Sequence, residues 1–239
     1  MTGGAGAPPG TEAGPPVWPA PPGGPGTFRS VAREAEVTLE IRRSRFIARV
    51  APVAGREAAE AWLEAARARH PRATHNVPAF IAGFRGEWRW CSDAGEPAGT
   101  AGKPALEVLE RAGLVQVAVL ITRYFGGVKL GAPGLVRAYA GACTAAIEAA
   151  GIVTFHRGRR GRLELPYPAY GAVRAWLEER GVVVLGETYA AGVTLELWVP
   201  EELEAEVPRQ AAERSAGRAA WHPEGWEYRA AGTPMASGS

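Results

Sequence analysis

The sequence predicts an α+β fold divided into two domains, and three observations support this prediction. Strand-like runs alternate with helix-like runs from residue 28 to residue 230. After residue 162 these runs follow the order strand, helix, strand, strand, helix, strand, which is typical of a ferredoxin-like βαββαβ domain. A basic run at residues 156–162 lies between the two halves and indicates a linker.

The first domain spans residues 28–155, and its apolar patterns place each element in turn. Apolar residues at helical spacing indicate helices, apolar runs indicate strands, and Pro71 and Gly151 mark two helix ends. The near-continuous apolar run 115–122 indicates a buried central strand. In order, we expect strands at 37–41 and 45–50, a helix at 56–70, strands at 73–82 and 87–91, a helix at 104–112, a strand at 115–122 and a helix at 134–150.

The second domain, residues 163–230, follows the same logic. Its expected elements are a strand at 163–166, a helix at 170–180, strands at 182–187 and 193–199, a helix at 201–216 interrupted at Pro208, and a strand at 226–228. Residues 1–26 and 231–239 are predicted to be disordered tails. They are rich in small residues and proline, so they bury too little surface to offset the entropy lost on ordering.

Composition restricts the class of protein. No apolar run approaches the roughly 20 residues that cross a bilayer, and the N-terminus lacks the pattern of a signal peptide. Cys91 and Cys143 have no motif spacing, so we expect a cytoplasmic protein without a disulfide framework. Residues 27–155 carry 17 Lys and Arg against 12 Asp and Glu, a net charge of +5. This excess favours an anionic partner, although a solvated surface with chance asymmetry explains it equally well.

A first glycine-rich segment precedes the helix predicted at 104–112. It is not a P-loop, because that motif requires a glycine where Pro97 stands and Ser or Thr where Pro104 stands. Backbone N–H groups among glycines at a helix N-terminus, with a lysine beside them, nevertheless suit a phosphate. The alternative is that the lysine simply points into water. The candidate anion-binding residues of this segment are Gly99, Thr100, Gly102 and Lys103.

A second segment repeats this arrangement after the strand at 115–122. Its glycines bend the chain before the next helix, and Arg137 is predicted to be exposed, about 140° from that helix's apolar face. Two aromatic residues could stack on bases, although aromatics at a strand end more often pack beneath the next helix. The candidate residues of this segment are Arg123, Tyr124, Phe125, Gly126, Gly127, Lys129 and Arg137.

A few polar residues could form a separate site near the first segment. Asp93 and Glu96 could act as an acid/base pair or bind Mg²⁺, but a loop-forming role through an Asx-type turn is the favoured alternative. His75 and Asn76 open a strand, where a lone histidine is more often structural than a ligand. No metal-ligand spacing and no catalytic triad order occurs in the sequence, so neither a metal nor a cofactor is expected.

At these segments the chain resembles the bacterial members of the IMPACT family. The matching residues are 44–47, 75–76, 92–93, 95–97, 99–102, 122–127, 129–131 and 134–139. The resemblance implies a first domain with the fold of domain 2 of ribosomal protein S5 and a smaller ferredoxin-like second domain. It also implies a link to translation, which eukaryotic relatives regulate. Ala94 departs from the family, which commonly has an acid there, and this weakens an acidic-pair or metal hypothesis.

Three functional hypotheses follow from the residues and the resemblance. The first is a non-enzymatic protein that binds RNA or the ribosome and modulates translation through the basic glycine-rich surface. The second is an enzyme acting on a phosphorylated small molecule or a nucleotide in the same cleft. The third is a protein-binding regulatory module with a translation-related partner. The sequence leaves the oligomeric state open.

Overall fold

A computed structural model describes residues 14–230. The predicted C-terminal tail at 231–239 and the first 13 residues of the predicted N-terminal tail lie outside the described residues. Within residues 14–230, two antiparallel sheets and five α-helices form an α+β fold. The chain begins with β1 (Trp18–Pro19) and β2 (Thr27–Val31). The N-terminal domain follows as β3 (Ala35–Ile41), β4 (Ser44–Pro52), α1 (Arg56–Ala68), β5 (His75–Ala82), β6 (Trp88–Cys91), α2 (Gly102–Arg111), β7 (Val117–Tyr124) and α3 (Ala132–Ala150).

The N-terminal sheet has the strand order β3-β4-β7-β5-β6, with β7 in the middle as its continuous apolar run predicts. Helices α2 and α3 pack side by side on one face, where Phe46, Ile121 and Tyr139 are buried. Helix α1 packs on the opposite face, above β7 and β5, where Leu63 and Phe80 are buried. We call this second face the α1 face.

The C-terminal domain comprises β8 (Ile152–Leu165), α4 (Tyr167–Glu179), β9 (Val183–Tyr189), β10 (Val193–Pro200), a 3-10 turn (Glu201–Leu203), α5 (Glu206–Ser215) and β11 (Ala220–Ala230). Its strands lie in the order β11-β8-β10-β9 and all pair antiparallel, which confirms the ferredoxin-like βαββαβ prediction. Pro208 does not interrupt a helix. It lies in the first turn of α5, where its missing N–H has no partner to lose.

The predicted linker at 156–162 is wrong, because these residues form the middle of β8. Their glycines are sites of close packing. A Cβ on Gly158 would lie 2.3 Å from the Trp198 indole, and one on Gly161 would lie 2.5 Å from Trp221. Two of the arginines there pair with acids of neighbouring strands, since Arg160 lies 3.3 Å from Glu196 and Arg162 lies 3.3 Å from Glu224.

The prediction of a disordered tail is also wrong for residues 14–26. Trp18 is only 6% exposed, and its ring lies 5.4 Å from Phe28 and 4.7 Å from Phe155. Strand β1 pairs with β11, and β2 pairs with β8, so both extend the C-terminal sheet. One buried indole contributes a large apolar area, which offsets the entropy lost by the small residues around it. Among residues 14–230 no helix is both long and apolar enough to cross a membrane.

Candidate nucleic-acid interface

The first glycine segment already holds an anion, which is the side chain of Asp93. Its Oδ1 atom accepts hydrogen bonds from the backbone N–H groups of Ala101 at 3.0 Å and Gly102 at 2.9 Å, and Oδ2 accepts one from Gly99 at 2.8 Å. Three backbone N–H groups of the segment that was predicted to suit a phosphate are therefore already occupied by this carboxylate. Burial tends to raise the pKa of Asp93, but the three backbone hydrogen bonds outweigh it and hold the pKa below its ordinary value.

The other candidates of this segment have structural roles. A Cβ on Gly102 would lie 2.6 Å from the backbone oxygen of Ser92, so glycine is required by close packing. Thr100 is buried and its Oγ1 donates to the carbonyl of Pro97 at 2.6 Å. Lys103 is exposed, with its Nζ 3.9 Å from Glu107 Oε1. The alternative in which Lys103 points into water describes this segment better than a phosphate cradle.

Glu96 and Arg123 form a buried ion pair. Arg123 Nη1 lies 2.6 Å from Glu96 Oε1, and the two side chains are 6% and 3% exposed. Tyr139 donates its hydroxyl to the same Glu96 oxygen at 2.7 Å. Burial, followed by this hydrogen bond, strongly raises the pKa of Tyr139. Arg123, a predicted phosphate contact, is thus held inside the N-terminal domain.

The residues of the predicted polar site mostly have structural partners, and His75 lies near Glu96. His75 Nδ1 lies 2.9 Å from the carbonyl oxygen of Ala94, and its Nε2 lies 3.8 Å from Glu96. Asn76 accepts from Thr122 Oγ1 at 2.7 Å. Asp93 and Glu96 are thus bound to different partners, Asp93 to backbone N–H groups and Glu96 to Arg123 and Tyr139. No cluster of three metal-ligating acids, histidines or cysteines occurs within residues 14–230.

The second glycine segment lies against the turn between β3 and β4. A Cβ on Gly126 would lie 1.9 Å from the carbonyl oxygen of Arg43, and the Gly126 N–H donates to Ser44 Oγ at 3.2 Å. The turn is a two-residue loop, since Ile41 pairs directly with Ser44. Its residues Arg42 and Arg43 have φ of 47° and 66°, as a type I′ turn requires.

This contact gathers five exposed cations at one end of the N-terminal sheet, which we call the basic end. Within residues 14–230 none of them takes part in an ion pair. Arg42 and Arg137 line one shallow pocket of about 190 Å³, whose apolar wall includes Leu130. The prediction that Arg137 is exposed is confirmed. The members of the basic end are Arg42, Arg43, Arg45, Lys129 and Arg137.

The two aromatic candidates border the basic end. The sequence favoured packing of both beneath the following helix, α3, but neither packs there. Phe125 is 47% exposed, and the Arg123 guanidinium lies 5.5 Å from its ring. Tyr124 is half-buried, with the Arg45 guanidinium 4.6 Å above its ring and its hydroxyl 3.1 Å from His70 Nδ1. Phe125 is therefore the aromatic that a ligand can reach.

The sequence interpretation missed three members of the basic end, namely Arg42, Arg43 and Arg45. Their signal was present, because the short gap between two strand-like runs predicts a hairpin turn that carries Arg42 and Arg43, and Arg45 opens the strand after it. What the sequence did not reveal is that β4 pairs with β7, which places Arg45 opposite Tyr124 and the turn beside Gly126.

Comparisons with known proteins agree with this architecture. Residues 42–147 match the Impact N-terminal domain, and residues 163–218 match a domain of unknown function, DUF1949. The chain is 35% identical to "IMPACT family member YigZ" of Escherichia coli over 78% of its length and 92% of that protein. It is 32% identical to YvyE of Bacillus subtilis, over 74% and 81% of the two chains, and 42% identical to a Thermus thermophilus member, over 67% and 86%. A crystal structure described as that of a hypothetical protein is 32% identical, with a TM-score of 0.54, over 82% of this chain and 96% of that one.

Proposed function

Because the chain belongs to the IMPACT family, we propose that it is a non-enzymatic RNA-binding protein that acts on the ribosome in the cytoplasm and modulates translation. The basic end is the surface that contacts RNA. The observation that supports this proposal is the meeting of the Arg42–Arg43 turn with the segment from Gly126 to Lys129, which concentrates positive charge at one end of the sheet. Such a patch attracts phosphates irrespective of base sequence.

Backbone strain at the turn supports a functional role for its arginines. Both central positions of a type I′ turn need φ above zero, and Asn-Gly or Gly-Gly is preferred there. Arg42 and Arg43 adopt this conformation with a steric cost of roughly 1–2 kcal/mol per residue. A sequence that served stability alone would place other residues at this turn. Strain of this kind is concentrated at binding and active sites.

The enzyme hypothesis loses its support at the residues that would carry it. Asp93 caps a loop, Glu96 is 3% exposed in its ion pair, and His75 is bound to a backbone carbonyl. Binding without catalysis is the function that these contacts favour.

The experiment measures binding of a single-stranded RNA oligonucleotide across a salt series. The Lys129→Ala/Arg137→Ala variant is expected to bind at least about tenfold more weakly, with a salt slope smaller by about 1.4 for two lost phosphate contacts. A matched control is Arg160→Gln/Arg162→Gln, which removes two arginines that already pair with Glu196 and Glu224. The control is expected to bind as the wild type does, and equal binding by the basic-end variant would overturn the proposal. Co-sedimentation with ribosomes then tests the larger partner.

A further inference from the structure

The α1 face of the N-terminal sheet is only partly covered. The opposite face carries two helices, α3 over β3 and β4 and α2 over β5 and β6, whereas α1 alone lies over β7 and β5. A helix is about 10 Å across and strands lie about 4.8 Å apart, so one helix covers roughly two of five strands. Both edges of the α1 face are therefore left open.

The two open edges have opposite polarity. On β3 the side chains directed to this face are Glu36, Thr38 and Glu40, as expected where a sheet meets water. On β6 they are Trp88 and Trp90, which pair with Ala82 and Phe80 and are 47% and 46% exposed. The tryptophans at β6 are large apolar side chains that stand about half-exposed, and they indicate a surface that a partner covers.

Between β6 and α1 the tryptophans form one wall of a groove of about 540 Å³, within the usual size of binding pockets. Leu63 and Phe80 form its floor. The α1 wall carries a stripe of charges in the order basic, acidic, acidic, basic, at Arg56, Glu60, Glu64 and Arg67. The stripe is neutral overall, so a polyanion such as RNA gains nothing from it.

The order of these charges also argues against a second copy of this chain. If α1 packed antiparallel against its own copy, Arg56 would face Arg67 and Glu60 would face Glu64. Like charges would then meet along the whole contact. A complementary partner instead presents the order acidic, basic, basic, acidic. Because the order is palindromic, such a helix is matched in either direction.

We infer that this groove, which is separate from the basic end, binds an amphipathic helix of another protein. One apolar stripe of the helix lies on Trp88 and Trp90, and an adjacent stripe reads acidic, basic, basic, acidic. The helical spacing of that stripe is i, i+4, i+8 and i+11 for a helix parallel to α1, and i, i+3, i+7 and i+11 for an antiparallel one. Pairs already within α1, Arg56 with Glu60 at 2.7 Å and Arg67 with Glu64 at 2.8 Å, are exposed and therefore weak, so they exchange readily for partner charges.

The test uses two labelled synthetic helices of identical composition and zero net charge that differ only in charge order. The helix with the acidic, basic, basic, acidic stripe is expected to bind the full chain at least about tenfold more tightly than the helix whose stripe reads basic, acidic, acidic, basic. Trp88→Ser/Trp90→Ser is expected to abolish binding, since central aromatic anchors dominate such interfaces. Circular dichroism and thermal unfolding verify that this variant is folded.

A second variant distinguishes charge recognition from general stickiness. The variant Arg56→Glu/Glu60→Arg/Glu64→Arg/Arg67→Glu keeps the spacing of both ion pairs within α1 but inverts the sign of every charge in the stripe. It should therefore prefer the synthetic helix whose stripe reads basic, acidic, acidic, basic. Equal binding of both helices, or of neither, overturns the inference. A wild-type dimer that Trp88→Ser/Trp90→Ser converts to monomer would assign the groove to a second copy instead. Loss of RNA binding in that variant would assign it to RNA.

Discussion

Arg123 and Glu96 meet at 2.6 Å inside the N-terminal domain, although one ends strand β7 and the other lies in the loop before α2. Glu96 Oε1 also accepts a hydrogen bond from the hydroxyl of Tyr139 in α3. One oxygen of Glu96 thus connects three parts of the domain. These are the first glycine segment, the central strand β7, and helix α3, which follows the second glycine segment. Two segments that look like parallel ligand sites in the sequence are held together by this pair.

Replacing Glu96 with Gln is expected to destabilise the fold by about 3 kcal/mol, because it leaves the buried Arg123 charge without a counter-charge. Urea unfolding measures the effect. The double variant Glu96→Gln/Arg123→Met removes both charges and should recover part of the loss. A loss below about 1 kcal/mol in the single variant would show that the pair is not structural.

The stabilisation from Asp93 should depend on pH with a defined sign. Its folded-state pKa lies below the ordinary value, so its contribution is complete above the unfolded pKa of about 3.9 and is lost as pH falls through the folded value. Asp93→Asn is therefore expected to be less stable than the wild type at pH 7. The difference should shrink as the pH is lowered towards 3, and a difference independent of pH would contradict the capping role.

Gly126→Ala is expected to destabilise the fold by about 2–3 kcal/mol, because its Cβ would meet the backbone of Arg43 and force the β3–β4 turn away. Gly127→Ala is the matched control. Gly127 has a φ of 82°, and a Cβ added there would meet open space. Gly127→Ala should therefore show only the smaller cost of an alanine in the left-handed conformation. Thermal unfolding of the two variants compares them, and equal losses would argue against close packing at Gly126.

Trp18→Ala is expected to cost about 3 kcal/mol, since it empties a buried site among Phe28, Phe155 and Tyr228. Chemical unfolding monitored by circular dichroism measures this. Unchanged stability is what a disordered tail would give, and it would contradict the ordered N-terminal segment.

The fold could be predicted from the sequence to the extent that local patterns determine it. The apolar run of β7 predicted the central strand of the N-terminal sheet, and the βαββαβ order predicted the second domain. The run 156–162 misled, because arginine and glycine look like linker residues. Their partners, Glu224 and Trp198, are brought beside them only by strand pairing.

The candidate site was less accessible to sequence reasoning. Glycines and cations indicated anion binding, yet Asp93 supplies the anion in the first segment and Glu96 binds Arg123. Such neutralisation depends on three-dimensional contacts between residues distant in sequence. Lys129 and Arg137 remained exposed as expected, whereas their neighbours Arg42 and Arg43 entered the patch only through the approach of the hairpin turn to Gly126.

The most direct measurement of the central claim follows stability and RNA affinity together in one variant, Arg42→Asn/Arg43→Gly. This variant gives the type I′ turn its preferred residues, so the protein should become about 1 kcal/mol or more harder to unfold. At the same time its affinity for single-stranded RNA should fall about tenfold or more, with a smaller salt slope. A variant that gains stability and binds RNA as tightly as the wild type would contradict the claim that the basic end is the RNA-binding surface.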